Sequence, residues 1–423
     1  MKRVSSIWHM ARLPVFWLLV CAAGLPVKSM ADTTGYVSPS VAVGVVYDDN
    51  IFNQPADRES DTILRVSPAL EAGFESESLT LDGFYTFDAE RYRKHPGLNS
   101  NTVRRDAALD LGWRATSRLN FGLDGDYTST ETPSQISPLT SLGLGRAHAT
   151  AYTVNPSLNY AFDETDMGRA GYSHTAETVA QGPDTSVDTA NFGWDHTVDP
   201  RNILDFDLSG SRYHFSTFAD SVSSEVFTVG WTHALTPRTT LILAAGPRDT
   251  AGNVDAEVSG GVHHVMDSGT FAFDFLRSQT LVVGQVGVVE TRSVNFSYDE
   301  GIGQDLEIQI APSYAQDSVQ GSRADIYRFN FSTSYRLGRI TSLVGSYQYS
   351  LQRGLLGGDQ NLEVRDNILY IGLVFSAPMP QGSAFDQRRR TPFETLWPAP
   401  RQTQVLPPSS DLPPTPTGET PTP

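Results

Sequence analysis

The sequence predicts an all-β protein: a transmembrane, antiparallel, up-and-down β-barrel of about 18 strands, with 16 strands as the alternative. Composition is the first observation, because only 39% of residues are hydrophobic and 19% are charged, while 10% are aromatic. Such a chain is too polar for a thick core and too aromatic for disorder. The second observation is an alternation of apolar and polar residues that runs from Tyr36 to Ser376. No segment after the first thirty residues is long and apolar enough for a membrane helix, which excludes a polytopic helical protein.

Residues 1–31 are predicted to be a secretory signal peptide. Lys2 and Arg3 form its basic start, residues 13–27 are apolar, and Ser29-Met30-Ala31 fits a small-x-small cleavage pattern before Asp32. The chain's single cysteine lies inside this segment, so disulfide and thiolate chemistry are excluded from the remainder. The segment holds four basic residues and no acid, and its removal changes the net charge from −17 to −21. That balance excludes nucleic acid as a partner.

Residues 32–376 are predicted to form the barrel. Tyr152, Val154, Leu158 and Tyr160 alternate with small and polar residues, and similar runs recur along the chain. Many runs are longer than an ordinary strand of about 5–6 residues and suit a tilted bilayer crossing. The stretch 269–298 is ambiguous, which is why 16 strands remain an alternative. The predicted strands are 36–48, 61–75, 77–92, 102–116, 118–129, 148–162, 166–180, 186–198, 201–215, 222–236, 238–247, 253–266, 269–280, 287–298, 303–316, 323–336, 340–353 and 364–376.

The polar face of these strands carries charged residues of both signs, with acids in excess. A barrel of about 16–18 strands leaves an aqueous lumen, and water in that lumen is sufficient reason for these side chains to be polar. Short turns alternate with longer loops, which is typical of periplasmic turns and extracellular loops. The predicted lumen-lining residues are Arg65, Asp82, Asp88, Arg104, Asp106, Asp110, Arg114, Asp124, Asp126, Asp205, Asp207, Asp255, Glu257, Arg328 and Arg336.

Residues 377–423 are predicted to be a disordered or polyproline tail. They hold 12 of the chain's 26 prolines. An even number of strands places this tail in the periplasm with the N-terminus. Arg388-Arg389-Arg390 and the following 391–397 are either a docking segment for a periplasmic partner or part of a plain spacer.

The sequence predicts no enzyme, no cofactor and no metal site. The motifs of serine hydrolases, zinc proteases, P-loop proteins and dinucleotide-binding proteins are absent from it. His263 and His264 are adjacent, so in a strand they face opposite sides. Asp124-Gly125-Asp126 resembles the start of a calcium loop, but Gln135 stands where the bidentate Glu is needed. Asp48-Asp49-Asn50, at a strand end, is a weak cation-binding signal.

A family resemblance rests on the opening strand. Val41-Ala42-Val43-Gly44-Val45-Val46 runs into Tyr47-Asp48-Asp49-Asn50-Ile51-Phe52 just after the signal peptide. This resembles the outer-membrane β-barrel porins found with bacterial exopolysaccharide and capsule export systems. The resemblance implies an integral outer-membrane pore and, in some members, passage of a secreted polysaccharide; it brings no catalytic residues. The long Pro-rich tail departs from that pattern.

Three functions follow as alternatives. The first is secretion of an exopolysaccharide or capsular polysaccharide through a wide polar lumen. The second is a diffusion porin for small hydrophilic solutes, with a mild preference for cations and an inward loop at 129–147. The third is a structural or adhesive barrel that transports nothing. The expected partners are outer-membrane lipid and lipopolysaccharide, the barrel-assembly machinery, the transported glycan or solute, and a periplasmic polysaccharide-export protein at the tail.

Overall fold

The protein is a closed antiparallel barrel of 18 strands. Its computed structural model describes residues 34–136, 145–180, 182–217 and 221–377. Each strand pairs with the next along the chain, and β1 also pairs with β18, which closes the sheet. Two short 3₁₀ turns, Pro96–Leu98 and Pro133–Gln135, are the helical elements of the described residues. Within those ranges no helix is long and apolar enough to cross a membrane.

The predicted fold class is confirmed, and the alternative of 16 strands is wrong. The observed strand limits lie within four residues of the predicted ones. The strands are β1 Thr34–Asp48, β2 Asp61–Glu75, β3 Leu79–Tyr92, β4 Ser100–Arg114, β5 Leu119–Thr130, β6 Ala149–Ala161, β7 Asp166–Val179, β8 Thr185–Asp199, β9 Asn202–Phe215, β10 Val222–Thr236, β11 Thr239–Thr250, β12 Asn253–Val265, β13 Gly269–Thr280, β14 Val289–Ile302, β15 Leu306–Val319, β16 Ser322–Arg336, β17 Thr341–Arg353 and β18 Glu363–Ser376.

The two ends of the barrel differ in their connections. At one end, here the turn end, eight connections of two to four residues join the strands, and β1 begins and β18 ends there. At the other, the loop end, the connections run from two residues, at 251–252, to eighteen, at 131–148. The predicted signal peptide falls within residues 1–33, outside the described part of the chain. The predicted tail from residue 378 onward also lies outside it.

The two faces of the barrel wall differ in the way a bilayer requires. Large apolar and aromatic side chains such as Tyr85, Trp113, Tyr152, Phe192 and Ile371 are exposed on the outside. Neighbouring strand positions, on the opposite face, are mostly small, polar or charged, with clusters of buried apolar side chains among them. Soluble proteins seldom expose this much apolar surface, and a closed barrel satisfies every strand edge inside lipid. The protein is therefore an outer-membrane β-barrel.

Candidate pore interior and constriction

The charged residues predicted to line a lumen all lie on one face of the wall. Each occupies a strand position of opposite parity to the exposed large hydrophobic residues beside it on its own strand, as Arg65 does beside Leu64 and Arg328 beside Tyr327; the one exposed hydrophobic residue of like parity is Val265, at the turn end of β12. Several are thoroughly buried, including Arg65, Asp88, Arg104 and Asp106, whereas Arg114 and Arg336 lie exposed near the turn end.

The interior wall from β2 to β5 holds its charges in pairs. Arg65 donates from Nη2 to Glu90 Oε1 at 2.7 Å, and its Nε lies 3.9 Å from Asp88 Oδ2. Arg104 Nε donates to Asp106 Oδ2 at 2.7 Å. Each pair joins residues on the same strand or on adjacent strands, so these charged side chains are held against the wall.

Hydroxyl groups of Ser, Thr and Tyr also donate hydrogen bonds to the acids of this part of the wall. Thr128 donates to Asp106 Oδ1 at 2.9 Å, and Ser67 donates to Asp88 Oδ1 at 2.6 Å. Tyr36 donates to Asp82 at 2.6 Å near the turn end. Asp110 on β4 lies directly opposite Asp124 on β5 in the strand register, and Asp126 lies opposite Ala108. This part of the wall is predominantly acidic.

The wall from β7 to β9 has a second charge group. Arg169 Nη2 lies 2.7 Å from Asp195 Oδ1 and 3.2 Å from Asp207 Oδ1. Asp205 is the next inward position on β9 and lies beside Asp195 in the strand register. Three carboxylates thus surround one guanidinium, which leaves this group with a net negative charge.

The backbone pairing between β12 and β13 covers only the turn-end part of the two strands. Backbone pairing of these two strands ends at Val258 opposite Arg277, so 253–257 of β12 and 278–280 of β13 do not pair with each other. The loop-end part of β13 leans inward instead. Gln279 accepts hydrogen bonds from Thr250 on β11 at 2.9 Å and from Ser224 on β10 at 3.1 Å, both on the interior face of those strands. The β13–β14 hairpin tip, residues 277–292, therefore lies against the inside of the wall.

Ion pairs join the hairpin tip to that wall. Arg248 of β11, fully buried, lies 2.7 Å from Glu257 and 3.5 Å from Glu290 on β14. Arg277 of β13 lies 3.0 Å from Glu290 and also pairs with Asp255 of β12. Two of the predicted lumen-lining residues, Asp255 and Glu257, thus serve as anchors for the inward hairpin.

Three consecutive apolar residues at the start of the β13–β14 loop contact three different parts of the interior. Leu281 packs with Tyr213 and Phe215 of β9. Val282 packs with a cluster on β14 to β16 that also includes Leu356 of the β17–β18 loop. Val283 packs with Ala149 of β6 and Ile136 of the long β5–β6 loop. Since these partners come from separate arcs of the wall, the loop 281–288 lies across the interior and narrows it.

The long β5–β6 loop contributes to the same narrowing. Arg146 donates to Tyr92 Oη at 3.1 Å, and its guanidinium lies over the Tyr92 ring. Thr132, Ser134, Gln135 and Arg146 line a cavity of about 220 Å³ together with residues of β1–β4 and β15–β18. The predicted inward loop, 129–147, therefore lies inside the barrel in its described part, while residues 137–144 lie outside the described ranges.

The sequence pattern did not predict that the β13–β14 loop, 281–288, turns into the barrel. The stretch 269–298 was ambiguous by its pattern, and the apolar run Leu281-Val282-Val283, followed by glycines at 284 and 287, was the only available signal. Arg169, Arg248 and Glu290 were also missed as interior charges. The partners of these residues lie largely on neighbouring strands, which periodicity alone does not align.

Comparison with known proteins finds solved structures of similar shape but no relatives by sequence. No protein-family model matches the chain, and no curated protein matches it. A BenF-like porin from Pseudomonas fluorescens Pf-5 aligns with 13% identity and a TM-score of 0.45, covering 81% of this chain and 99% of that one. OccK2 (OpdF) from Pseudomonas aeruginosa, solved in complex with glucuronate, aligns with 11% identity and a TM-score of 0.44 over 81% and 98%. The siderophore receptor PirA of the same species aligns with 7% identity and a TM-score of 0.40 over 81% and 80%.

The class of protein follows from the barrel itself. A closed 18-strand wall with an apolar exterior and a charged interior is porin-like.

Proposed function

We propose that the protein is a diffusion pore for small hydrophilic solutes, with a preference for cations. The observation that carries this proposal is the loop 281–288 crossing the interior on three apolar contacts. A loop held across the lumen admits small solutes past its edges and excludes a bulky hydrated polymer. The charged side chains of the surrounding wall line a water-filled path beside the loop, which such solutes need.

The preference for cations rests on the balance of interior charges. The fifteen residues predicted to line the lumen include ten acids and five arginines. The interior ion pairs described above add Arg169, Arg248 and Arg277 together with Glu90, Asp195 and Glu290, so the excess of acid remains. Arginines such as Arg65 and Arg104 are already paired with carboxylates, so they offer little attraction to a passing anion. A wall with excess carboxylate raises the local concentration of cations and lowers that of anions.

Single-channel recording in a planar bilayer tests the proposal. The expected result is a stable conductance whose reversal potential in a potassium chloride gradient shows cation preference. Asp205→Asn, which removes one charge from the group around Arg169, is expected to reduce that preference. Asp57→Asn, which removes a charge from an exposed loop residue, is the matched control and leaves it unchanged. A purified, folded barrel without conductance would contradict the proposal and favour a structural barrel.

Solute size separates a diffusion pore from polysaccharide secretion. Liposome swelling with sugars of increasing length is expected to fall away after short oligosaccharides. Equal entry of long neutral glycans would contradict a small-solute pore and favour secretion of a polymer. Loss of polymer secretion in a deletion strain, restored by the wild-type chain, would favour secretion independently.

A further inference from the structure

Three carboxylates meet where the first and last strands of the barrel join. Asp48 ends β1, Asp49 follows it, and Asp366 lies near the start of β18. One oxygen from each residue lies within 4.8 Å of the others. In the described part of the chain the cation seen near them is Arg58, whose Nη1 is 3.7 Å from Asp49 Oδ2.

Asp366 gives the cluster a feature that mutual proximity alone does not explain. The residue is only 8% exposed, and its Oδ1 is buried with no hydrogen-bond partner among the described residues. A buried oxygen without a donor is costly to a folded protein, and a carboxylate in that position beside two others is costlier still. The Asp366 carboxyl also lies within hydrogen-bond reach of the Asp48 carboxylate, and a cation bound among the three acids would offset their mutual repulsion and the cost of burying Asp366.

The other two carboxylates are held in place by donors from the surrounding backbone and side chains. Asn50 N donates to Asp48 Oδ1 at 2.7 Å. Asn367 donates to both oxygens of Asp49, from its backbone N and from Nδ2, each at 2.8 Å. Such outer contacts orient carboxylates in metal sites and reduce the rearrangement that binding requires.

We propose that Asp48, Asp49 and Asp366 form a calcium site that links β1 to β18 at the loop end. Calcium accepts six to eight oxygen ligands at about 2.3–2.6 Å in a flexible geometry, whereas magnesium requires near-octahedral geometry and gives up its water ligands reluctantly, so three carboxylates from two strand ends favour calcium. Asp48 and Asp366 also line the cavity of about 220 Å³, which has room for the water ligands that complete the sphere. The inference does not rest on the proposed transport function, and the acidic residues at 48–49 are the only part of the site that the sequence pattern indicates.

Calcium binding to the whole chain tests the site. The protein is refolded in detergent free of lipopolysaccharide, because lipopolysaccharide itself binds calcium, and calcium is titrated by calorimetry after treatment with chelator. The expected result is one calcium per barrel, with an affinity in the range of about 10⁻⁴ M or tighter. Magnesium is expected to bind at least about tenfold more weakly.

Variants keep the test decisive. Asp366→Asn and Asp48→Asn are each expected to weaken calcium binding at least about tenfold, whereas the exposed Asp57→Asn, in the same loop as Asp49, binds as the wild type does.

Calcium is also expected to raise the temperature at which the folded band is lost on unboiled gels, in the wild type and not in Asp366→Asn. If one variant fails to fold, the other still decides. Absence of calcium binding by the wild type, or unchanged binding by a folded variant of Asp48 or Asp366, would overturn the site, and equal binding of magnesium would overturn the choice of metal.

Discussion

Two junctions of the barrel wall are held together by different means. β1 and β18 lie at opposite ends of the sequence, yet they pair from Ser40 opposite Ser376 to Asp48 opposite Ile368. An apolar cluster that includes Val46, Tyr92 and Tyr370 packs behind that pairing. β12 and β13 are sequence neighbours joined by a short turn, yet their pairing stops partway and ion pairs take over. The backbone pairing covers a similar length at both junctions, so they differ in the side chains that support them: apolar packing at β1–β18 and ion pairs at β12–β13.

The difference follows from what each junction must do. At β1–β18 most interior side chains are small or apolar and pack against one another, and the carboxylates of Asp48 and Asp366 lie only at the loop end. At β12–β13 the apolar residues Leu281, Val282 and Val283 at the tip of the next hairpin find partners only across the interior. Burying such side chains is worth about 1.5–3 kcal/mol each, which offsets the loss of a few backbone pairs between β12 and β13.

Arg248→Met breaks the ion-pair junction and is expected to have the largest effect on stability. The guanidinium is fully buried and lies between Glu257 and Glu290. Removing one partner of a buried ion pair leaves uncompensated charge and costs about 3–5 kcal/mol in the free energy of unfolding. The measurement is a urea titration of the folded barrel in detergent or lipid vesicles.

Arg292→Met is the control for that experiment. Arg292 also pairs with Glu290, at 2.9 Å, but its side chain is half exposed, so its loss is expected to cost less than about 1 kcal/mol. Equal costs for the two variants would show that burial of Arg248 is not what holds the hairpin inward.

Gly44→Val tests the β1–β18 junction and is expected to have the next largest effect. Gly44 lies opposite Gly372, and the Tyr370 ring lies over the pair. A Cβ at position 44 would lie 2.6 Å from the Ile371 carbonyl oxygen and from ring carbons of Tyr370. We expect a loss of about 1–3 kcal/mol in the free energy of unfolding, as for overpacked sites, and a weaker folded band on unboiled gels. Gly112→Ala, where nothing lies within 4 Å of the added atom, is the control; a comparable loss there would contradict the packing explanation.

Much of this barrel could be predicted from the sequence, and the part that could not has a clear physical cause. Alternation assigns a face to every strand position, and that face is independent of which strands are neighbours. Arg65 and Asp205 could therefore be assigned to the interior without a structure. The inward hairpin could not be predicted, because the direction of Leu281 depends on Tyr213 and Phe215, some seventy residues earlier in the chain. The same applies to Asp366, whose neighbours Asp48 and Asp49 are brought to it only by barrel closure.

The smallest expected effect is a pH dependence of the loops next to the β1–β18 junction. His95, in the β3–β4 loop, pairs with Asp61 at 2.7 Å and Glu59 at 2.6 Å, and its ring packs edge-on against Phe52 of the β1–β2 loop. The hydrogen bond to Asp61, followed by that to Glu59, raises the pKa of His95 above its ordinary value. The stabilisation is therefore complete below about pH 6.5 and is lost as the pH rises through the raised pKa.

Hydrogen exchange measures that effect. Protection of amides in residues 49–60 is expected to fall as the pH rises through the pKa of His95, after correction for the intrinsic rate. His95→Gln is expected to remove the pH dependence while the 281–288 loop is unaffected. A wild-type profile without a step would show that the pair does not restrain these loops.

Single-channel conductance of one variant tests most directly whether the loop 281–288 narrows the pore. The variant replaces Leu281, Val282 and Val283 with Ser, which removes all three apolar contacts and leaves the β-strands and the interior charges in place. If the loop narrows the pore, this variant shows a several-fold larger or fluctuating conductance and admits longer sugars, in a barrel that still migrates as folded. A folded variant with the conductance and size limit of the wild type would contradict this expectation.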